Sequence, residues 1–318
     1  MKTKNKSVNK IGTDSDNFDE IHGTTIKNTT IANKINQDNL QNILSEPDES
    51  EIDKIKEVIP KSQNLKIEII SSTTEPKGSI LIINPLGLEN GKRKSNDGIS
   101  YFGYEENTNN PTIDYLIKPR EKQYDERFLG KHFQIRFNPY DLKYYLKDLG
   151  HGFGTFIKIT NWIEIKNNFL LNIGENYIVF TIGLEDEIIM NENYSNKKQS
   201  DYENLLNVKI FSGDIKHGVV SFSPSKSPIS IGRSPDCDIL IDDNMLSRTH
   251  CVVEFKNDKW FIQDGFVNER GEVRKSTNGT WIYAYEEIMI SDKMTFKANH
   301  NLFICNYVDC EKENGFSN

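Results

Sequence analysis

The chain has 318 residues, with 39 Lys and Arg against 47 Asp and Glu, and a formal net charge of -8. This length accommodates about two domains and a tail, and the acidic balance argues against general binding to nucleic acid or anionic membranes. No apolar run approaches the roughly 18 residues that span a bilayer, and the start, MKTKNKSVNK, lacks the apolar core of a secretory signal. We therefore expect a protein of the cytosol or nucleus.

Residues 1–64 are rich in Asn, Lys, Thr and Asp, and Phe18 is their only aromatic residue. Such a segment buries too little apolar surface to offset its chain entropy, which predicts a disordered tail. Within it, Ser50 and Asp53 fit a capping box ahead of apolar residues on one helical face. This pattern predicts a short helix near 49–59, marginal on its own, which either frays, docks loosely on the next domain or binds a partner.

Thr13 is the one tail residue with a more specific hypothesis. It lies in GTDSDNFDE, with Asp16 at the third position after it, and this context suits an acid-directed kinase. Phosphorylated Thr13 is a candidate ligand for the chain's own binding site, in cis or in a second copy. The alternative is an ordinary tail threonine without a function.

Two blocks of short β-type runs follow the tail, at residues 78–184 and 206–309. Each has Gly, Asn and Asp turns and hardly any helix, so we predict an all-β fold with two β-sandwiches in tandem. The polar segment 185–205 is predicted to be a linker, and 310–318 a tail. The blocks repeat each other: ISYFGY corresponds to ISIGR, and GFGTFI to TNGTWI, which indicates tandem copies of one module.

The second block has an ordered set of polar residues at its predicted turns. Arg233 offers a planar fork of donors to phosphate oxygens, Arg248 a second cation and Ser247 a hydroxyl, while Thr277 and Asn278 suit a ligand's backbone. Singly, these residues have ordinary explanations, such as a solvated arginine after a turn or an Asn-Gly hairpin turn. Together, they indicate a site that captures a phosphate in a peptide.

This set, ISIGR, LSRTH and TNGTW in that order, resembles the forkhead-associated (FHA) domain, a phosphothreonine-binding β-sandwich. The resemblance covers about residues 206–309. It implies that phosphothreonine is preferred over phosphoserine and that the third residue after it tunes specificity. It agrees with a structural role for Gly232, Gly279 and His250, with His250 buried and hydrogen bonded to backbone rather than to a ligand.

The first block also looks like an FHA domain, but it departs from the set where phosphate would bind. Tyr104 replaces the first arginine, Leu129 the serine, Gly130 the second arginine and Phe153 the asparagine. These residues leave a phosphate's charge unpaired, so we expect no phosphothreonine binding in the family's mode. The remaining possibility is cations from elsewhere, and the candidates are Lys118, Arg120 and Lys131.

An insertion, GFVNERGEVRK, separates Asp264 from Ser276 where the family usually turns more briefly. Its Arg270, Arg274 and Lys275 either extend a positive rim or are solvated charges on a hairpin.

Enzyme motifs and metal motifs are both poor matches. GLENGKR lacks the spacing and the Ser or Thr of a phosphate loop, and GHGFG precedes a strand rather than a helix. The cysteines lack CxxC or metal-ligand spacing, which predicts free buried thiols without metal or cofactor at positions 237, 251, 305 and 310. Two functions remain: a reader of phosphothreonine peptides through the second block, or a phosphate-independent scaffold that docks partners on both sandwiches.

Overall fold

The computed structural model describes residues 47–106, 109–119, 126–183, 203–212, 215–268 and 270–309. Thr13, most of the predicted linker and the predicted C-terminal tail lie outside them. The fold is nearly all β, as the sequence predicts.

One α-helix is found among the described residues, α1 at Glu49–Val58. The strands, in chain order, are β1 Gln63–Ser71, β2 Ile80–Asn84, β3 Gly87–Leu88, β4 Ile99–Tyr104, β5 Tyr115–Leu116, β6 Gly130–Asn138, β7 Lys143–Asp148, β8 Thr155–Lys158, β9 Ile163–Glu164, β10 Phe169–Ile173, β11 Asn176–Ile182, β12 Leu206–Ser212, β13 Ile215–Phe222, β14 Ile229–Gly232, β15 Ile239–Leu240, β16 Cys251–Lys256, β17 Lys259–Asp264, β18 Phe266–Val267, β19 Val273–Arg274, β20 Trp281–Tyr283, β21 Ile288–Met289, β22 Thr295–Ala298 and β23 Asn301–Asp309.

The described residues form two compact units. We call residues 158–282 the site unit, and residues 47–157 with 283–309 the companion unit. In the site unit, one sheet has the strand order β13-β12-β11-β10-β20 and the other β15-β14-β16-β17-β9. In the companion unit, the orders are β8-β22-β23-β1-β2-β3 and β21-β7-β6-β4-β5.

These units take strands from both sequence blocks. The first block supplies β9–β11 to the site unit, where β11 pairs with β12 and β10 with β20. The second block supplies β21–β23 to the companion unit, where β23 pairs with β1 and β22 with β8. The boundaries 78–184 and 206–309 stay a prediction about separate domains, since the compact units group the strands differently.

Alternating burial explains the core of the site unit. In β17, Trp260 and Ile262 are buried, and Ile262 faces Val253 across the β16–β17 ladder. Trp260 also satisfies its indole N–H by donating to the carbonyl of Asn204, 2.9 Å away. Burial of such side chains stabilises a unit by about 1.5–3 kcal/mol each.

Aromatic rings dominate the core of the companion unit. Phe133 is fully buried and stacks on Phe102, with ring centroids 4.5 Å apart. Phe296 and Phe303 approach the same ring edge-on and stack on each other at 4.7 Å. Phe133 belongs to the first sequence block and Phe296 and Phe303 to the second, so this core contains residues from both blocks. On β1, which precedes the first block, Ile67 is buried and pairs with Cys305 of β23.

Helix α1 begins at a different cap from the one that the sequence suggested. The N-cap is Asp48, whose carboxylate accepts the Glu51 amide at 2.9 Å. Ser50 lies inside the helix and donates to Asp48. The structure thus corrects the capping box, because an aspartate two residues earlier satisfies the free amides of the first turn. Ile55 is fully buried and Glu51 pairs with Arg136, so the helix docks on the companion unit.

Ile55→Ala is expected to lower the free energy of unfolding of the companion unit by about 2 kcal/mol or more, because it removes a fully buried side chain. Denaturant unfolding measures this loss. Lys56→Ala, an exposed change on the same helix, is the control and should stay within about 0.5 kcal/mol of the parent. Equal stabilities of the two variants would mean that the helix adds nothing to the unit.

Within the described ranges, no helix is long and apolar enough to cross a membrane.

Candidate functional site

The loop that follows β14 lies against the loop that precedes β16. The Arg233 amide donates to the carbonyl of Ser247 at 3.2 Å, and the Ser234 amide donates to that of Arg248 at 3.0 Å. Gly232 makes this approach possible: a Cβ there would lie 2.2 Å from the Arg248 carbonyl oxygen. Any side chain at this position would push the two loops apart.

His250 joins the second loop to the turn before β20. It is fully buried, and its Nε2 donates to the carbonyl of Gly279 at 3.0 Å, while its Nδ1 accepts the Ser247 amide at 3.2 Å. These two bonds require a neutral imidazole, and burial lowers the pKa of His250 in agreement with that. His250 therefore holds backbone in place and is not directed at a ligand.

Ser247 and Thr277 lie together at the surface. The Ser247 Oγ accepts the Thr277 amide at 3.0 Å and lies 3.4 Å from the Thr277 hydroxyl. Ser247 Oγ accepts from the backbone, so its own hydrogen can be donated to the Thr277 hydroxyl or to a ligand. Thr277 is exposed and Ser247 is partly exposed.

Asn278 has a structural contact in addition to its exposed position. Its amide nitrogen donates to the carbonyl of Met245 at 2.7 Å, so the side chain links the turn to the loop before Ser247. Among the described residues, no donor bonds to the amide oxygen of Asn278. Its own carbonyl accepts the indole N–H of Trp281 at 2.9 Å, which fixes the residue from the other side.

The two arginines complete the set. Arg233 and Arg248 have exposed side chains, and neither forms an ion pair with any residue that the structure describes. The site unit thus presents two guanidinium groups on adjoining loops, beside an oriented serine hydroxyl. Such a surface suits an anion with several oxygen acceptors.

A buried carboxylate that the sequence analysis missed orders the turn. Asp264 accepts from the hydroxyls of Ser276 and Thr280, at 2.5 and 2.8 Å, and from the Ser276 amide. The Ser276 oxygen in turn accepts the Gly279 amide at 2.9 Å. The only sequence signal was an aspartate that ends an alternating strand, which does not indicate its distant hydroxyl partners.

Lys158 is a second residue that sequence reasoning missed. Its Nζ lies 5.7 Å from the centre of the Trp281 ring. Gly279 has a φ of +80°, so this position favours glycine. A Cβ there would also lie 2.6 Å from the Lys158 Cε, the end of a flexible side chain that can move aside. A cation from the end of β8 therefore borders the turn.

The insertion forms the hairpin β18–β19. Val267 and Val273 face each other across it and are both exposed. Lys275 donates to the carbonyl of Thr160 at 2.7 Å, whereas Arg270 and Arg274 are exposed. For Arg270 and Arg274, the positive rim and the solvated hairpin therefore both stay open as interpretations. Lys275 differs from them because it has a hydrogen-bond partner in the fold.

An acidic cavity of about 380 Å³ lies beside the same loops. Met245 contributes its wall next to Asn278, and the other lining residues are Glu175, Asn176, Ser212, Asp242, Asp243 and Asn244.

The corresponding loops of the companion unit are closed by aromatic and imidazole rings. Phe153 packs edge-on against Phe128, with centroids 4.9 Å apart. A Cβ on Gly130 would lie 2.6 Å from the His151 ring. Of the candidate cations there, Lys131 lies over the Tyr101 ring at 3.5 Å, Lys118 is exposed and Arg120 is outside the described residues.

His132 has the position in the companion unit that His250 has in the site unit. It is buried, donates to the carbonyl of Phe128 and accepts from Asn299, both at 2.7 Å. Burial lowers its pKa to about 4, so the imidazole is neutral at physiological pH. A buried histidine that bonds to backbone is therefore present in both units, whereas Tyr104 and Gly130 stand in the first block where the second has Arg233 and Arg248.

Three of the four cysteines are buried free thiols, Cys237, Cys251 and Cys305, and Cys310 lies outside the described residues. In the part of the chain that the structure describes, no group of three or more His, Cys, Asp or Glu side chains is arranged to hold a metal ion.

A comparison with protein-family models agrees with the resemblance. Residues 229–291 match the family model of the FHA domain. A solved structure described as a structural and functional analysis of phosphothreonine-dependent FHA domain interactions is 17% identical, covering 27% of this chain and 83% of its own, with a TM-score of 0.14. FHA-1 of Rv1747 from Mycobacterium tuberculosis is 16% identical, covering 29% and 89%, with a TM-score of 0.15. No curated protein matches the sequence.

Proposed function

We propose, from the premise that this chain contains an FHA domain, that the site unit binds phosphothreonine peptides. The observation that supports this most is the pair of exposed guanidinium groups of Arg233 and Arg248, on loops held together by backbone hydrogen bonds, beside the Ser247 hydroxyl. The protein would act as a phosphorylation-dependent interaction module of the cytosol or nucleus, without catalysis.

The proposed roles follow from the contacts. Arg233, Arg248 and Ser247 bind the phosphate, which has about -1.5 to -2 charges and three strong acceptors. Thr277 and the free amide oxygen of Asn278 bind the peptide backbone. Hydrogen bonds to a charged group contribute about 1.5–3 kcal/mol each, so two or three supply much of a micromolar affinity near -8 kcal/mol.

Supporting residues act through the loops and not on the peptide. Gly232 permits the close approach of the loops, Gly279 permits the turn, and His250 ties both to backbone. The family resemblance adds a preference for phosphothreonine over phosphoserine.

For the companion unit we propose a structural or protein-contact role. Phe153, Gly130 and Leu129 stand where the site unit has Asn278, Arg248 and Ser247. Aromatic rings fill these loops of the companion unit. They support the phosphate-independent scaffold as the second candidate function, for the companion unit alone.

The test is enrichment of an oriented phosphothreonine peptide library on the full chain, beside the dephosphorylated library. The full chain is needed because β9–β11 belong to the site unit. Retention of phosphopeptides alone supports the proposal. Equal retention of both libraries, or of neither, would favour the scaffold.

Ser247→Ala should weaken binding of an enriched phosphopeptide by about 10-fold or more, since it removes one hydrogen bond to a charged group. Isothermal titration measures the change. Ser225→Ala, at an exposed serine elsewhere in the site unit, is the matched control and should bind as the parent does. An unchanged affinity of Ser247→Ala would remove this serine from the site.

A further inference from the structure

The loop that leads to Ser247 is held by one carboxylate. Asp243 accepts the Met245 amide through Oδ1 at 2.7 Å, and its own carbonyl accepts the Leu246 amide at 3.0 Å. Met245 in turn offers its carbonyl to the Asn278 side chain at 2.7 Å. The geometry of Ser247 and Asn278 thus depends on where this carboxylate is held.

The turn between β10 and β11, residues 173–176, supplies the contacts that hold Asp243. Its Oδ2 accepts the Glu175 amide at 3.0 Å and the Asn176 side-chain amide at 2.7 Å. Asn176 is buried and is itself fixed, because Ser212 donates to its Oδ1 and its carbonyl accepts the Asn172 side chain.

The turn at residues 173–176 also packs closely against the loop that leads to Ser247. Gly174 has a φ of +55°, and a Cβ there would lie 2.3 Å from Asp243 Oδ2 and 2.6 Å from Leu246 Cδ1. Leu246 is buried beneath the loop. The turn therefore contacts the Ser247 loop through both hydrogen bonds and apolar packing.

We infer that Asn176 and Asp243 are positioning residues for the phosphopeptide site, so that a turn of the first sequence block sets the affinity of a site whose binding residues all lie in the second. This inference rests on the proposed function. It extends the site beyond residues 229–291, the range that matches the family model.

Reciprocal substitution tests this contact in the full chain. Asn176→Asp alone places two carboxylates against each other, and Asp243→Asn alone places two amides against each other. The double variant again has one amide and one carboxylate, with the partners exchanged. Each single variant should bind the enriched phosphopeptide about 10-fold more weakly. The double variant should recover part of that loss, because an amide at position 243 can donate to a carboxylate at position 176 but cannot accept the Glu175 amide. Ile210→Val, a buried change elsewhere in the site unit, should lower stability and leave affinity unchanged.

Hydrogen exchange without peptide separates this inference from the proposed function. In Asn176→Asp, the amides of Ser247 and Thr277 should exchange about 10-fold faster, while those of β16 and β17 keep the parent's rates. Unchanged exchange at Ser247, or weak binding by the double variant equal to that of the single variants, would overturn the positioning role. If Asn176→Asp speeds exchange but the parent protein binds no phosphopeptide, the proposed function is wrong, and so is the predicted effect on affinity. The contact between Asn176 and Asp243 would then be a structural one.

Discussion

Arg233→Ala is expected to weaken phosphothreonine-peptide binding by about 100-fold, which takes a micromolar complex out of the range of ordinary titration. The side chain is exposed and forms no ion pair within the described structure, so its removal costs the fold little. The Arg233 amide, which bonds to Ser247, is kept by alanine. Isothermal titration with the full chain measures the affinity, and the melting temperature should stay within about 2 °C of the parent's.

Two further variants make this result specific. Arg233→Lys keeps the charge but loses the planar fork, so its affinity should lie between those of the parent and the alanine variant. Arg274→Ala removes an equally exposed cation from the β18–β19 hairpin and should change affinity little. If Arg233→Ala binds like the parent while Arg274→Ala does not, the phosphate lies on the hairpin side and the proposed assignment is wrong.

Asp148→Asn is expected to stabilise the companion unit at neutral pH. Asp148 is buried; Oδ1 accepts from the Tyr283 hydroxyl at 2.7 Å and the Gly150 amide at 2.8 Å, while Oδ2 forms no hydrogen bond of good geometry in the described structure, although the Thr155 hydroxyl and amide lie close enough to oppose the rise of the pKa. Burial raises the pKa of Asp148 from 3.8 to about 6. A shift of roughly two pKa units corresponds to at most about 3 kcal/mol.

The sign of the pH dependence follows from that direction. Because the folded state holds the proton more tightly, the group's contribution to stability is complete below pH 3.8 and is lost as the pH rises through about 6. Asparagine does not titrate, so the gain of Asp148→Asn should be large at pH 7.5 and small at pH 4. Thermal unfolding at both values measures it, and an equal gain at both would exclude titration of Asp148 as the cause.

Asp264 ends β17 as Asp148 ends β7, and in each unit the amide of the next residue donates to the carbonyl of the buried histidine. Substitution of Asp264 should change stability in the opposite direction. Its carboxylate accepts three hydrogen bonds, from Ser276 and Thr280. Asp264→Asn exchanges one acceptor for a donor and should lower stability by about 1–3 kcal/mol. Substitution of Asp by Asn should thus lower stability at Asp264, whose two carboxylate oxygens accept hydrogen bonds, and raise it at Asp148.

The sequence predicted the all-β class because that class depends on local patterns, and the polar residues proposed for the site come from the same kind of signal. Period-2 alternation predicts strands such as β17. The order of Gly232, Ser247 and Asn278 predicts turns at these three residues. The cap of α1 was wrong by two residues, since Asp48 and Ser50 are both good N-cap residues and their spacing does not decide between them.

Contacts between distant residues could not be predicted in this way. The bonds of Asp264 to the turn at 276–280 and of Asn176 to Asp243 join residues far apart in sequence. The assignment of β9–β11 to the site unit is of the same kind: alternation identifies a strand but not its neighbour in the sheet.

The strand membership of the site unit bears on how the chain can be divided. The first block has none of the proposed phosphate-binding residues, yet it provides β9–β11 of the site unit. A deletion of that block would leave β12 without the neighbour that it has in β11 and β17 without β9. A fragment limited to the second block would therefore lack three strands of the site unit, so the two sequence blocks are not independent modules that can be cut apart and recombined.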